Sequence, residues 1–161
     1  MKERVLELME ERGITLPEIA ELVFALQEKY YTNLTLEYCL EAVDAVVSKR
    51  EVQHGILTGL ALDMLTEQKL LPQPLQDIIA SDEPLYGIDE VLGMAITNIY
   101  GTIGVTSFGY LDKLKIGLVG RLDNDKDKVN TFADDLVAAI AAAAAAKIAH
   151  GSHEHLSVKS L

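Results

Sequence analysis

The feature that most constrains the fold is a run of small apolar residues near the C-terminus, where alanine predominates and residues 136–146 carry no charge. Alanine has the highest intrinsic helix propensity, so this run predicts a helix. A helix that is apolar on every side must be surrounded by protein or lipid, and this run is too short to cross a bilayer, which takes about 20 residues. We therefore expect an all-α, single multihelical domain with a central Ala-rich helix (about 131–150) surrounded by five or six others.

Apolar residues also recur at helical spacing through the first 100 residues. They predict three helices before residue 50, a fourth at about 51–68, a short fifth that ends near 81, and a sixth within 86–100. The sixth helix carries an apolar stripe made of Ile88, Val91, Leu92, Ala95 and Ile99.

The segment 101–130 differs from the rest because glycine stands at positions 101, 104, 109, 117 and 120. Glycine breaks regular structure, so loops and a short helix are expected there. After this segment, Thr131 and Asp134 have the N-cap and N3 spacing that opens a helix.

Length and cysteine content indicate the domain number and the compartment. The chain has 161 residues, the usual size of one domain, and we expect a single helical domain over 1–150 and a mobile C-terminal tail over 151–161. Cys39 is the sole cysteine, and the N-terminus has no apolar run resembling a signal peptide. These features predict a cytoplasmic protein, with peripheral contact to a membrane as an option.

The formal net charge of −11 limits the partners. It repels the phosphate backbone of nucleic acid and anionic membrane surfaces, and no local cluster of lysine or arginine offsets it. Nucleic acid is therefore excluded as a partner, whereas solubility and the binding of cations both remain compatible with the acidic excess.

Two acidic pairs are the candidate functional residues. Asp134 and Asp135 open the central helix, and Asp89 and Glu90 lie in the first turns of the sixth. A buried carboxylate needs compensation, which either the helix dipole or a bound cation supplies. Adjacent helical residues point about 100° apart, so one carboxylate of each pair is expected to point inward.

The residue one turn after Asp89 is Gly93, which predicts open space beside that acid. Hard divalent cations such as Mg²⁺ favour carboxylate oxygens. The spacing alone leaves two interpretations open, a metal site or helix capping with exposed acidic faces.

Three segments resemble motifs of the phosphatidylglycerophosphatase A family. Residues 86–94 (YGIDEVLGM) resemble its DEVxGM motif, residues 109–115 (GYLDKLK) its FDxxKP segment, and residues 131–139 (TFADDLVAA) its closing LDDxxAG helix. They occur in the family's order, and the chain resembles a short, soluble branch of it. The family's N-terminal glycine-proline-threonine loop has no counterpart, and Ile116 replaces the proline that follows the lysine.

The resemblance implies Mg²⁺-dependent hydrolysis of phosphatidylglycerophosphate to phosphatidylglycerol, with Mn²⁺ as a substitute ion. It places metal ligands at Asp89, Glu90, Asp134 and Asp135, and catalytic groups at Asp112 and Lys115. The substrate would be a phosphomonoester, either soluble or a lipid at a membrane surface. Direct attack by water and a covalent aspartyl-phosphate both remain open.

Three further residues are weaker candidates for substrate binding. Arg121 would join Lys115 in stabilising charge on the phosphate oxygens. His54 and Asp63 lie on a helix whose two glycines allow close approach of a ligand or of another helix. The alternative function is a non-catalytic helical scaffold or interaction protein that keeps the family fold, and the aliphatic surface favours a homodimer.

Overall fold

The computed structural model describes residues 1–151 and 156–159, and these residues form α-helices without a β-strand. The helices are α1 (Lys2–Glu11), α2 (Leu16–Gln27), α3 (Leu36–Val47), α4 (Arg50–Glu67), α5 (Leu75–Ala80), α6 (Ile88–Thr97), α7 (Thr102–Leu114), α8 (Gly117–Asp123) and α9 (Ala133–His150). A 3₁₀ turn (Asn98–Tyr100) joins α6 to α7. The all-α expectation is confirmed. Within the described residues, no helix combines the length and apolarity that a bilayer crossing requires.

The Ala-rich helix α9 occupies the centre of the domain, as predicted. Every residue from Ala133 to Ala146 is buried. The helix packs against α2, α3, α4, α6, α7 and α8. The absence of a side chain on Gly59 of α4 makes this close packing possible, because a Cβ added there would lie 2.7 Å from Leu136 Cδ1 of α9. The glycines of α4 therefore admit neighbouring helices.

The start of α9 is capped from a distant part of the chain. Both carboxylate oxygens of Asp63, a fully buried residue of α4, accept the backbone N–H of Phe132, at 3.1 and 3.2 Å, and one accepts that of Ala133 at 2.9 Å. The predicted Thr131 cap is wrong, because the Thr131 hydroxyl donates to the carbonyl of Ile79 at 2.7 Å instead. Asp63 thus satisfies two of the N–H groups that the start of this helix leaves free.

The expectation of loops in the glycine-rich segment after residue 100 is also wrong. The segment forms two helices, α7 and α8, where loops and one short helix were expected. A Cβ on Gly104 would lie 2.9 Å from the carbonyl oxygen of Thr97, so this glycine marks a close helix contact. The packing of α7 on α9 and α6 offsets the helix propensity that glycine lacks, about 1 kcal/mol per residue.

Helix α6 presents its apolar stripe to solvent. Ile88, Val91, Ala95 and Ile99 are all exposed, and Leu92 is the half-buried member of the predicted stripe. The buried face of α6 instead carries Asp89, Gly93, Ile96 and Thr97. Gly93 has no open space beside it, because a Cβ there would lie 2.9 Å from Phe108 Cζ. This glycine lets α6 pack closely on α7.

The C-terminal segment is described in part. Val158 forms an isolated antiparallel bridge with Tyr31, and Leu156 is buried. Residues 152–155 and 160–161, which include two histidines of the predicted tail, lie outside the described residues. Mobility of the tail over 151–161 stays a prediction.

The cap on α9 yields a test of stability. Replacing Asp63 with alanine should lower the free energy of unfolding by about 1–3 kcal/mol, because the N–H groups of Phe132 and Ala133 stay buried without an acceptor. Replacing it with asparagine, which retains one acceptor oxygen, should cost less. Urea unfolding of both variants measures the difference, and equal stability of Asp63→Ala and the wild type would contradict the cap.

Candidate metal and phosphate site

Carboxylates from four elements surround a cavity of about 260 Å³ at the N-terminal end of α9. This is where α6 begins and α7 ends. Its lining includes the acidic and basic residues Asp82, Glu83, Asp89, Glu90, Asp112, Lys115, Asp123, Asp134 and Asp135. The structure therefore brings together all six residues that the motifs place at a metal and catalytic site.

The pair at the start of α9 lies deepest. Asp134 and Asp135 are 5% and 3% exposed, so both carboxylates leave solvent, whereas the pattern predicted one. Asp134 Oδ1 accepts the backbone N–H of Asp135 at 2.9 Å. Burial, opposed by Lys115, raises the pKa of Asp134 to about 6.

Lys115 is the cation of the cluster. Its ammonium nitrogen lies 2.7 Å from Asp134 Oδ2, 2.9 Å from Asp112 Oδ1 and 3.5 Å from Asp123 Oδ1. Burial acts to lower the pKa of Lys115, but the Asp134 and Asp112 carboxylates raise it well above its ordinary value. Lys115 is also the left-handed cap residue of α7, with φ 48°, a conformation that costs a non-glycine residue about 1 kcal/mol or more.

Asp135 lacks such a counter-charge. Among the described residues, no hydrogen bond or ion pair reaches its carboxylate. Burial, together with the negative charges of Asp134, Asp112 and Asp89 and opposed by Lys115, raises the pKa of Asp135 to about 9. Ionising this carboxylate requires additional positive charge in the cavity.

Asp89 supplies the clearest sign of a ligand. Its side chain is buried, and Oδ1 has no hydrogen-bond partner among the described residues. Glu90, the other member of the pair, is exposed but also lines the cavity. A buried carboxylate oxygen without a partner is costly in a folded protein and calls for an ion or a ligand group.

Sequence reasoning missed three acids of the cavity, Asp82, Glu83 and Asp123. Asp82 belongs to the turn before α6, and burial together with Asp89 raises its pKa. Asp123 closes α8, in the segment where loops and a short helix were expected. No helical spacing links any of these three acids to the acidic pairs, because tertiary contacts alone bring them to the cavity.

The weaker substrate-binding candidates lie elsewhere. Arg121 donates to the Gly13 carbonyl and to Glu18 Oε1, each at 2.8 Å, beside the turn between α1 and α2. His54 is exposed on α4, and Asp63 is the buried cap of α9. None of the three lines the cavity.

The cavity fits a hard divalent cation in its chemistry. Carboxylate oxygens are the donors that Mg²⁺ prefers, and the unpartnered Asp89 oxygen and the uncompensated Asp135 both call for positive charge. Within the described residues, however, no three acidic, histidine or cysteine side chains form a ready ligand set. The ammonium of Lys115 lies among the carboxylates and is paired with Asp134 Oδ2 at 2.7 Å, so that an ion using this oxygen would compete with Lys115.

Comparisons with known proteins agree on one family. The family model described as phosphatidylglycerophosphatase A matches residues 5–150. YpjQ, an uncharacterized protein of Bacillus subtilis (strain 168), is 55% identical over 150 residues, which cover 93% of this chain and 84% of YpjQ. YutG, an uncharacterized protein of the same strain, is 54% identical over 144 residues, which cover 88% of this chain and 86% of YutG.

Solved structures share the same fold. The crystal structure of YpjQ superposes with a TM-score of 0.89 at 54% identity and covers 92% of each chain. The crystal structure of the low temperature requirement C protein from Listeria monocytogenes gives a TM-score of 0.90 at 49% identity, over 92% of this chain and 94% of that one.

The buried acids make stability depend on pH. The pKa values of Asp134, Asp63 and Asp135 are raised in the folded state to about 6, 8 and 9, above the value near 4 of an unfolded aspartate. The folded state then binds more protons than the unfolded state, so raising the pH from about 5 to 9 should lower the free energy of unfolding. Thermal unfolding in chelator should show a falling midpoint across this range.

Asp135→Asn serves as the internal comparison for this dependence. It removes the acid with the largest shift among the three, so its melting temperature should fall less steeply with pH than that of the wild type. Parallel curves for the two proteins would contradict the assignment of the effect to Asp135.

Proposed function

The chain belongs to the phosphatidylglycerophosphatase A family, and from this we propose that it is a Mg²⁺-dependent phosphatase that hydrolyses a phosphomonoester. The substrate that follows from the family is phosphatidylglycerophosphate, hydrolysed to phosphatidylglycerol in phospholipid biosynthesis. The observation that carries the proposal is the buried, unpartnered Asp89 oxygen, in a cavity that also holds Asp134, Asp135 and Lys115.

In this proposal Asp89, Glu90, Asp134 and Asp135 hold the ion, with Mn²⁺ as a substitute. When bound, the ion would polarise phosphate oxygens and acidify a water molecule. Protein carboxylates need supply only part of the shell of Mg²⁺, which keeps waters and takes substrate oxygens as its other ligands. Exposed Glu90 is the ligand of the four that can rotate without disturbing the core.

Lys115 and Asp112 have the catalytic roles. The Lys115 ammonium, once released from Asp134, is placed to neutralise charge that accumulates on the phosphate oxygens. Asp112 is half-buried and pairs with Lys115 at 2.9 Å. Its carboxylate accepts a proton from the attacking group when Lys115 turns to the phosphate.

The rim of the cavity bears on the substrate. Leu85 lines the cavity and is fully exposed to solvent, so a phosphomonoester with an apolar portion would contact it. This supports a lipid over a small, fully polar phosphate. The exposed acids Asp82, Glu83 and Glu90 at the same rim would repel an anionic headgroup until positive charge enters the cavity.

A non-catalytic scaffold is the second candidate, and one observation favours it. Lys115 already neutralises Asp134 and Asp112, so the cluster keeps internal ion pairs without any metal. A protein that retained the family fold after losing activity would keep such pairs for stability.

Calorimetric titration with Mg²⁺ tests the site independently of the substrate. We expect Asp89→Asn and Asp134→Asn to lower the affinity for Mg²⁺ at least about tenfold, because each removes a ligand charge. Asp77→Asn is the matched control, since Asp77 is exposed on α5 and lies outside the cavity lining. Equal titration curves for the wild type and all three variants would remove the metal site and the enzyme with it.

Phosphate release then separates the enzyme from the scaffold. The wild type should release phosphate from phosphatidylglycerophosphate in mixed micelles with Mg²⁺ and lose that activity in chelator. Lys115→Met should lower the rate at least about 100-fold while Mg²⁺ still binds. Binding of Mg²⁺ without hydrolysis of lipid or soluble phosphomonoesters would favour the scaffold.

A further inference from the structure

Lys115 has three carboxylate partners, and the proposed function gives a task to two of them. Its ammonium nitrogen lies 2.7 Å from Asp134 Oδ2, 2.9 Å from Asp112 Oδ1 and 3.5 Å from Asp123 Oδ1. In that function Asp134 becomes a ligand of the ion, and Asp112 accepts a proton from the attacking group. Asp123 is then the remaining partner of Lys115 within the described residues.

The turn between α7 and α8 holds Asp123 beside Lys115. Lys115 caps α7 with a left-handed backbone, φ 48°, and α8 begins two residues later at Gly117. Gly120 packs so closely on this turn that a Cβ added to it would overlap the carbonyl oxygen of Lys115. Asp123 follows one helical turn after Gly120, at the end of α8. Because α8 packs on α2 and α9, the backbone that carries Asp123 is fixed relative to Lys115.

Asp123 differs from Asp134 in its exposure. The side chain of Asp123 is 32% exposed, whereas that of Asp134 is 7% exposed. In the part of the chain that the structure describes, Lys115 is the sole cation within ion-pair distance of Asp123. A carboxylate at the solvent edge of a cavity keeps much of its hydration, so it stays charged at little cost. Asp123 is therefore a partner that Lys115 retains without using the deep end of the cavity.

An ion in the cavity would change the surroundings of Lys115. The Lys115 side chain is 30% exposed, and a half-buried ammonium that loses its carboxylate partners is costly. A divalent cation on Asp134 would also repel the ammonium. The ammonium stays in the cavity only if a carboxylate outside the ligand set of the ion holds it there. Asp123 meets this requirement.

We propose that Asp123 is a positioning residue, which keeps Lys115 in the cavity after a divalent cation takes Asp134 as a ligand. In the ion-free protein Lys115 is paired most closely with Asp134 and Asp112. When the ion enters, the ammonium shifts to Asp123 and remains beside the phosphate oxygens that it neutralises. The role rests on the proposed function, because it begins when an ion binds. Asp123 acts through Lys115 and touches neither the ion nor the phosphate.

A double-mutant cycle, measured by calorimetric titration with Mg²⁺, tests this role. In the wild-type background Asp123→Asn should lower the affinity for Mg²⁺ about five- to tenfold, because the displaced ammonium has lost the carboxylate that receives it. In the Lys115→Met background the same substitution should change the affinity less than about twofold, since no ammonium needs a partner. A direct ligand, or a carboxylate that acts only by its charge, would lower the affinity in both backgrounds.

Asp123→Glu and Asp127→Asn are the matched variants. Glutamate keeps the negative charge and should restore most of the affinity. Asp127 is exposed in the chain just after α8 and lies outside the cavity lining. Its substitution removes an equal but screened charge and should change the affinity less than about twofold. Unchanged helix content by circular dichroism verifies that each variant is folded.

The outcomes separate the role of Asp123 from the function on which it rests. Equal losses of affinity in the two backgrounds, or no loss in the wild-type background, would overturn the role and leave the metal site intact. Absence of Mg²⁺ binding by the wild type would remove the proposed function itself, and the role of Asp123 with it.

Discussion

The buried start of α9 places two demands on the surrounding chain. An alanine-rich helix without a polar face is stable only when other helices cover it along its length, and covering its start removes the first N–H groups from water. Acceptors must therefore come from protein. Asp63 supplies them from α4, and Asp134 accepts the N–H of Asp135. The same end of the helix attracts negative charge through its dipole. One constraint thus accounts for both the packing and the concentration of acids there.

The acids in turn explain why α6 reverses the usual arrangement of a surface helix. Asp89 of α6 is buried and lines the cavity. Gly93 is also on the buried face of α6, where it allows the close contact with Phe108. With that face turned inward, Ile88 and Val91 face solvent. The apolar stripe of a surface helix is normally buried, but a helix that supplies polar groups to an internal site can reverse this arrangement, as α6 does. The helix therefore contributes a buried carboxylate to the cavity on one side and exposed apolar residues on the other.

The sequence was sufficient for features that depend on local pattern. The absence of a polar face predicted the central position of α9, and motif order predicted that Asp89, Asp112 and Asp134 lie together. Features that depend on contacts between distant segments were missed. Asp63 replaced Thr131 as the cap across 69 residues of chain. Asp82 and Glu83 reached the cavity from the turn before α6, and Asp123 from the end of α8. Glycines of α7 indicated breaks, yet helix contacts stabilise that segment.

Lys115 places one fixed positive charge among the carboxylates of the cavity. Its ammonium is tethered 2.7 Å from Asp134, so the carboxylate is neutralised as soon as the chain has folded. In the proposed function, a cation that took Asp134 as a ligand would have to compete with an ammonium that is part of the protein. Its occupancy of the cavity would then depend on the concentration of the free ion.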